Sequence, residues 1–287
     1  MFFRLFGNYL KEKNLLDAEQ VEALIQYRKV NRVKLGMLAV EQGLMTAEQA
    51  EEVNRLQAVQ DKRFGEIAIE NAYLTSADMD MLIEKQGNPY FLFLQAVQEK
   101  GYLSKDVLTG MLLTYRDEKK LSDAQLEIIK SGTVDDVANV LLHADNKHAE
   151  GLLKLAVRNL VRFISTDICF ASIERADQFK AAQLASQLIT GAAPMQLGIS
   201  SENSEMLELA CIYGKEEFDE LDADAYDAVC EFINCNNGLY ARTNSTLNCE
   251  MELLPPTFEE DAVIAGEIYL LTVFVNNKKL TVFVKVG

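Results

Sequence analysis

Residues 226–238, with the sequence YDAVCEFINCNNG, decide how the second half of this 287-residue chain folds. The spacing of their apolar residues predicts an amphipathic helix. Asp227, Glu231 and Asn234 are separated by four and then three residues, so they share one face of that helix. The helix is therefore expected to present two carboxylates and a carboxamide away from the core. The other side of the helix carries Val229, Phe232 and Ile233.

The sequence that surrounds this helix predicts an antiparallel sheet. An acidic segment, residues 216–222, leads into the helix, and residues 247–256 alternate with period two before ending in prolines, which is typical of a strand. Residues 266–275 and 279–286 predict a hairpin that turns at Asn276 and Asn277. Earlier strands are expected at residues 168–173, 184–189 and 195–199, and helices at residues 151–164 and 202–214.

This combination of motifs resembles the CheC/CheX/FliY family of chemotaxis phosphatases. In that family an Asp, a Glu and an Asn on one helix are followed by a strand that ends at a proline. The resemblance is good over residues 202–287 and becomes fainter back to about residue 151. A single copy of the motif is present, which is more similar to CheX than to CheC.

The resemblance also implies roles for individual residues. Glu231 and Asn234 match the catalytic pair of the family, and Asp227 matches the accompanying acid. Pro255 or Pro256 matches the downstream proline. The implied activity is hydrolysis of the aspartyl phosphate on a phosphorylated CheY-like response regulator. The receiver domain of that partner brings its own Mg²⁺, so no cofactor or metal is expected on this chain.

The residue types suit this chemistry. Phosphoryl transfer to water depends mostly on positioning, and an Asn amide orients a water without changing its own protonation. A Glu can anchor the complex by pairing with a receiver lysine. Two alternatives to this interpretation stay open. In the first, the acidic face of the helix is only a solvated surface without a role. In the second, the domain is a non-catalytic adaptor that docks a receiver or forms a homodimer.

The first 115 residues repeat with a period of 29. Each unit predicts a short helix, a turn at a Gly or Asn that tolerates positive φ, and a longer helix with a polar N-cap. Four helix pairs are therefore expected to stack, because one pair cannot make a core alone. Gly7, Gly36, Gly65 and Leu94 are equivalent, as are Asn14, Gly43, Ala72 and Gly101, and as are Asp17, Thr46, Thr75 and Ser104.

Two of these units contain motifs of 24 residues, at 34–57 and 63–86, joined by five residues. They resemble the MshEN-type N-terminal domain of type II secretion and pilus ATPases, in which such tandem motifs bind cyclic di-GMP. The sequence departs from that pattern at Phe64 and Ala72, and at Lys34 in place of an Arg. The alternative is a plain interaction module whose glycines are turn residues. The resemblance implies a nucleotide site made by Lys34, Gly36, Gly43, Gln57, Arg63, Gly65 and Gln86.

The predicted fold is a multi-domain chain. Two more helices are expected between residues 121 and 146, with N-caps at Ser122 and Thr133. A polar break at residues 144–148 marks the expected boundary. Residues 1–146 should form an all-α helical-repeat domain, and residues 147–287 an α+β CheX-like domain with an antiparallel sheet and packed helices.

Composition excludes several classes of function. The net charge of −16 disfavours nucleic acid as a partner. His143 and His148 are the only histidines, too few for a zinc site or a histidine-dependent hydrolase. The five cysteines form no CxxC pair and are expected to be reduced core thiols. No stretch is apolar enough for a signal peptide or a spanning helix, which predicts a cytoplasmic protein.

Overall fold

The computed structural model describes residues 1–245 and 249–287. Contacts divide the chain into two compact units: Phe2–Ser131, and Gly132–Gly287 together with Met1. The first unit is entirely helical, and the second combines helices with an antiparallel sheet. Among the described residues, no helix combines the length and the apolar character that a membrane span requires.

The helical unit contains the predicted series of helix pairs. Four helix pairs repeat with the expected period, and a ninth helix follows them. No strand lies in residues 2–131, all of which are described. The helices are α1 (Phe2–Glu12), α2 (Ala18–Val30), α3 (Leu35–Glu41), α4 (Ala47–Gln57), α5 (Phe64–Glu70), α6 (Ser76–Lys85), α7 (Pro89–Glu99), α8 (Lys105–Glu118) and α9 (Asp123–Ser131).

The turn within each pair confirms the prediction of positive φ. Its φ angles are +56° at Asn14, +68° at Gly43, +57° at Ala72 and +67° at Gly101. Each turn is followed by a polar side chain that accepts a hydrogen bond from the first turn of the next helix. Ala72 adopts the left-handed conformation although alanine disfavours it by about 1 kcal/mol. The caps are Asp17, Thr46, Thr75 and Ser104.

Two repeat glycines let neighbouring helices approach closely. A Cβ on Gly36 would lie 3.0 Å from Cε2 of Phe64, and a Cβ on Gly65 would lie 2.6 Å from Cε of Met79. The Phe64 and Met79 side chains belong to the buried core of these repeats. A larger residue at either glycine would therefore compete with core packing.

The second unit contains four helices and six strands among its described residues. Ser122 caps α9, and Thr133 caps the helix that begins at Val134, as predicted. The elements are α10 (Val134–Leu141), α11 (Lys147–Phe163), β1 (Ile168–Phe170), β2 (Glu174–Gly191), β3 (Met195–Ser201), α12 (Glu205–Gly214), α13 (Ala223–Ser245), β4 (Met251–Leu253), β5 (Thr257–Val275) and β6 (Lys278–Val286).

The sheet has the strand order β1-β5-β6-β3-β2-β4, and all of its pairings are antiparallel. Because β2 also pairs with β5, the strands β2, β3, β6 and β5 form a closed circuit of pairings. Phe283 of β6 is fully buried in a cluster formed by side chains of β2, β5 and β6. A Cβ on Gly198 of β3 would lie 2.3 Å from Cε1 of Phe283, so only glycine fits there.

Several predicted boundaries in this unit are wrong. Strands β2 and β5 each begin about ten residues before the predicted start, in charged segments that were not recognised as strand. Their long mutual pairing supplies backbone hydrogen bonds that local propensity does not reveal. In the strand predicted at residues 247–256, the described residues are strand only at Met251–Leu253, and residues 247 and 248 lie outside the described residues. Helix α12 begins at Glu205 rather than 202, and α11 begins at Lys147 rather than 151.

The predicted terminal hairpin is confirmed. Strands β5 and β6 pair from Val275 and Lys278 onward. Asn276 and Asn277 form the turn with φ angles of +45° and +72°, the left-handed pair that a two-residue hairpin requires. The contact division at 131/132 places α10 in the second unit. The domain boundary at residue 146 stays a prediction.

Candidate functional site

Helix α13 presents one polar face and buries the other. Val229, Phe232 and Ile233 are at most 1 % exposed and pack in the core of the second unit. Asp227 and Glu231 are exposed. The structure therefore confirms that the two carboxylates lie on the face opposite the apolar side chains. The packing of the apolar face against the sheet determines which side chains of the helix remain accessible.

A groove of about 470 Å³ lies beside this face. Two aromatic side chains, Tyr213 and Phe218, contribute to its wall, and four carboxylates give it a strongly negative lining. In the part of the chain that the structure describes, none of these carboxylates forms an ion pair, so they are available to a cationic partner. The carboxylates are Glu216, Asp224, Asp227 and Glu231.

Two groups near the groove remain protonated at neutral pH. Burial raises the pKa of Tyr213 to about 12, with further contributions from its hydrogen bond to Cys235 and from the nearby Glu231. Burial also raises the pKa of the Cys230 thiol to about 11, and the charge of Asp227 adds to the effect. The negative potential of the groove therefore comes from its carboxylates. None of the five cysteines, all of which are described, forms a disulfide; two are buried and three are partly buried.

Asn234 is held by a side chain that the sequence does not single out. Gln187 of β2 is 2 % exposed, and its Nε2 donates to Asn234 Oδ1 at 2.8 Å. The same Nε2 donates to the backbone carbonyl of Leu254, also at 2.8 Å. The expectation that Asn234 is presented rather than packed is therefore wrong in part, because it is half-buried and hydrogen-bonded to the sheet.

The amide contacts continue into the core. Asn237 Nδ2 donates to Gln187 Oε1 at 2.9 Å, and Asn236 Nδ2 donates to Asn237 Oδ1 at 3.4 Å. Asn159 Nδ2 of α11 then donates to Asn236 Oδ1 at 2.8 Å. Sequence reasoning missed this network because the partners are distant in the chain. The signal available was a run of polar amides, NCNN, on a helix that must also bury one side.

Gln187 also brings the predicted proline segment to the site. The Leu254 carbonyl that it binds immediately precedes Pro255 and Pro256. The Leu254 amide donates to the Leu188 carbonyl of β2 at 3.0 Å, so both backbone groups of Leu254 are tied to the same strand. The structure thus places the end of β4 beside Asn234.

The residues of the predicted nucleotide site lie in the helical unit. Gly43 occupies a left-handed turn, and Gly36 and Gly65 lie at the helix contacts described above. Lys34 Nζ is 2.7 Å from Glu99 Oε1, so its charge is neutralised. Arg63 is exposed at the start of α5 and forms no ion pair with any described residue.

The two glutamines of that predicted site make equivalent contacts. Gln86 Nε2 donates to the Val33 carbonyl at 2.7 Å, and Gln57 Nε2 lies 3.4 Å from the Lys62 carbonyl. Val33 and Lys62 are themselves equivalent, being 29 residues apart. The glutamine at the end of each motif therefore contacts the residue that immediately precedes the other motif.

The described residues contain no group of three His, Cys, Asp or Glu side chains placed to hold a metal ion. The helix residues Asp227, Glu231 and Asn234 can offer hydrogen bonds and negative charge to a partner.

Comparison with known proteins gives a likeness over half of the chain. No protein-family model and no curated protein matches. A CheX chemotaxis protein from Desulfovibrio desulfuricans is 14 % identical, with a TM-score of 0.43, over 50 % of this chain and 100 % of its own. A CheC-like superfamily protein from Shewanella sp. PV-4 is 14 % identical, with a TM-score of 0.44, over 50 % of this chain and 99 % of its own. A chain of the CheX–CheY–BeF3–Mg²⁺ complex from Borrelia burgdorferi is 16 % identical, with a TM-score of 0.41, over 48 % and 96 % respectively.

Proposed function

We propose that this protein is a CheX-like phosphatase that accelerates hydrolysis of the aspartyl phosphate on a CheY-like response-regulator receiver domain. One observation carries the proposal. Glu231 is exposed, and Asn234, three residues later on the same face of α13, has its amide clamped by buried Gln187. A carboxylate and a prepositioned carboxamide on one face of a helix suit contact with the active site of another protein. The motif that resembles the CheC/CheX/FliY family contains the same two residues.

In this mechanism the receiver supplies Mg²⁺ and the phosphoryl group, and Asn234 orients the attacking water. Oδ1 of an amide has two lone pairs, and Gln187 occupies one of them. The second accepts a hydrogen bond from the attacking water and directs the water oxygen at phosphorus. The new P–O bond forms as the bond to the receiver's aspartate oxygen breaks, so the aspartate leaves as a free carboxylate and the released phosphate keeps both protons of the water. No nucleophile from this chain is needed.

Glu231 is assigned to recognition. Its carboxylate has no ion-pair partner among the described residues and lines the acidic groove. A receiver lysine would pair with it, and the surrounding carboxylates would speed the encounter of oppositely charged surfaces. The helical unit is assigned to interaction or regulation.

The test is the decay of a phosphorylated CheY-like receiver domain with and without the full chain. The parent protein is expected to accelerate decay, and Glu231→Gln to raise KM about tenfold, since one charge-assisted contact is worth roughly 1.5 kcal/mol. Glu217→Gln removes the same charge from an exposed residue that does not line the groove, and should change KM little.

The adaptor alternative is decided by the same assay. A parent protein that binds the phosphorylated receiver but leaves its decay rate unchanged is an adaptor and not a phosphatase. Equal KM changes for Glu231→Gln and Glu217→Gln would show that the acidic surface acts only through its overall charge.

The reciprocal contacts of Gln57 and Gln86 favour a second proposal for the helical unit: binding of cyclic di-GMP. The glutamine at the end of each motif contacts the residue just before the other motif. The two motifs therefore offer equivalent groups to the two halves of a symmetric dinucleotide. Exposed Arg63 is the side chain available to contact a phosphate or a guanine.

Calorimetric titration with cyclic di-GMP tests this proposal. Arg63→Ala is expected to weaken binding by about 1.5–3 kcal/mol, the worth of a charge-assisted hydrogen bond. Arg55→Ala, an exposed arginine on α4, is the matched control and should bind like the parent. Absence of heat with the parent protein at high micromolar nucleotide would eliminate the second proposal.

A further inference from the structure

We infer that Gln187 is a positioning residue of the site: it determines which way the Asn234 amide faces, and so which atom is offered to the attacking water. The inference rests on the proposed phosphatase function. Gln187 contacts no atom of the receiver in this scheme and acts only through Asn234 and the end of β4.

The orientation of Gln187 follows from its backbone partner. Leu254 offers a carbonyl oxygen, which can only accept a hydrogen bond. The Gln187 atom that faces Leu254 must therefore be the Nε2 donor, and Oε1 must face the other way. Asn237 Nδ2 lies on that other side at 2.9 Å and donates to Oε1. A flipped Gln187 would place oxygen against oxygen at Leu254 and nitrogen against nitrogen at Asn237.

The orientation of Asn234 follows from Gln187. With one Nε2 proton directed at Leu254, the other is directed at Asn234, and it needs an acceptor there. Asn234 must therefore turn Oδ1 toward Gln187 and Nδ2 away from it. One lone pair of Oδ1 is left for a water, and the amide cannot rotate without breaking the bond to Gln187.

Burial makes this arrangement stiff. Gln187 is 2 % exposed, and Asn236 and Asn237 are fully buried, so water cannot replace a lost partner at low cost. The donors run in one direction from Asn159 through Asn236 and Asn237 to Gln187. Each bond in the series agrees with the orientation imposed by the Leu254 carbonyl, so reversing any one amide would oppose like atoms at its neighbours.

The first test substitutes Gln187 and measures turnover of the phosphorylated receiver by the full chain. Gln187→Met keeps the length of the side chain and removes its hydrogen bonds. It is expected to lower kcat about tenfold with KM unchanged, because Asn234 becomes free to rotate while Glu231 is untouched. Gln95→Met is the matched control: Gln95 is 3 % exposed and its Nε2 also donates to a backbone carbonyl, that of Arg32, but it lies in the helical unit. Its kcat should equal that of the parent.

A double-mutant cycle separates positioning from a general structural role. If Gln187 acts through Asn234, the protein with both Gln187→Met and Asn234→Ala should be no slower than Asn234→Ala alone. Rate losses that multiply would overturn the inference, and so would a Gln187→Met protein with the kcat of the parent. In either case a parent that remains active leaves the proposed phosphatase function standing.

A measurement on the unmodified protein covers the case in which Gln187→Met fails to fold. Side-chain amide hydrogen exchange followed by NMR should show protected Gln187 Nε2 protons and rapidly exchanging Asn234 Nδ2 protons. Protected Nδ2 protons on Asn234, or unprotected Nε2 protons on Gln187, would refute the assigned orientation. The exchange measurement does not require that any receiver be a substrate. The proposed phosphatase function fails separately, if the parent protein does not accelerate decay of the phosphorylated receiver.

Discussion

Asn234→Ala is expected to slow dephosphorylation of the receiver about 100-fold relative to the parent protein. The variant removes the amide oxygen that holds the attacking water, and loss of one preorganised polar group from an active site costs about 3 kcal/mol in the transition state. The effect should fall on kcat, because Glu231 and the groove still recognise the receiver. Decay of the phosphorylated receiver at saturating concentration measures it.

The contact with Gln187 changes what must be controlled in that experiment. Alanine at this position leaves one Nε2 proton of buried Gln187 without its partner, so some stability is lost as well, on the order of 1–3 kcal/mol. Asn234→Asp keeps an oxygen for Gln187 and is expected to fold like the parent. It should nevertheless be inactive, because its charge repels the phosphoryl oxygens. Thermal unfolding of both variants separates the two effects.

Asp227→Ala is the control on the same face of the helix. Asp227 is exposed and precedes Asn234 by two turns, so its loss should reduce the rate much less than Asn234→Ala. An Asn234→Ala protein with the parent rate would mean that the polar face of α13 is merely solvated, and the phosphatase proposal would be abandoned.

Phe93→Ala is expected to destabilise the helical unit by about 3–5 kcal/mol, the usual cost of truncating a fully buried phenylalanine. Phe93 is completely buried on α7. Its ring centroid lies 5.5 Å from that of Phe2, 5.1 Å from that of Phe3 and 5.8 Å from that of Phe6, each with edge-to-face geometry. The variant therefore opens a cavity among three aromatic rings of α1 and removes their favourable edge contacts.

Chemical denaturation followed by far-ultraviolet circular dichroism measures this loss, since the unit consists entirely of helices. Leu113→Ala on α8 is the matched control, because Leu113 is 44 % exposed and its truncation should change stability by less than about 0.5 kcal/mol. Similar losses for the two variants would show that the aromatic cluster does not hold α1 against α7.

Local signals in the sequence determined the helical unit. A 29-residue period places a residue with positive φ and a polar N-cap in every helix pair, and both features act within a few residues of the chain. The same holds for the hairpin at Asn276 and Asn277 and for the two faces of α13, where the intervals between Asp227, Glu231 and Asn234 are sufficient.

The tertiary structure decided how far the long strands β2 and β5 extend. Strands β2 and β5 extend through charged residues because each pairs with the other over most of its length, a contact between segments about 80 residues apart. Sequence periodicity could not reveal this, since pairing supplies backbone hydrogen bonds that do not depend on the side chains.

Contacts between distant segments also explain why the sequence revealed only part of the candidate site. The sequence made Glu231 and Asn234 candidates because they share one face of a helix. It could not point to Gln187, whose contacts depend on β2 passing beneath α13 and beside the end of β4. A single helix determines which residues share a face, whereas the direction of a buried amide depends on donors and acceptors brought from other elements. The sequence alone therefore determined which residues share the polar face of the helix, and the packing of three elements determined how Asn234 is held.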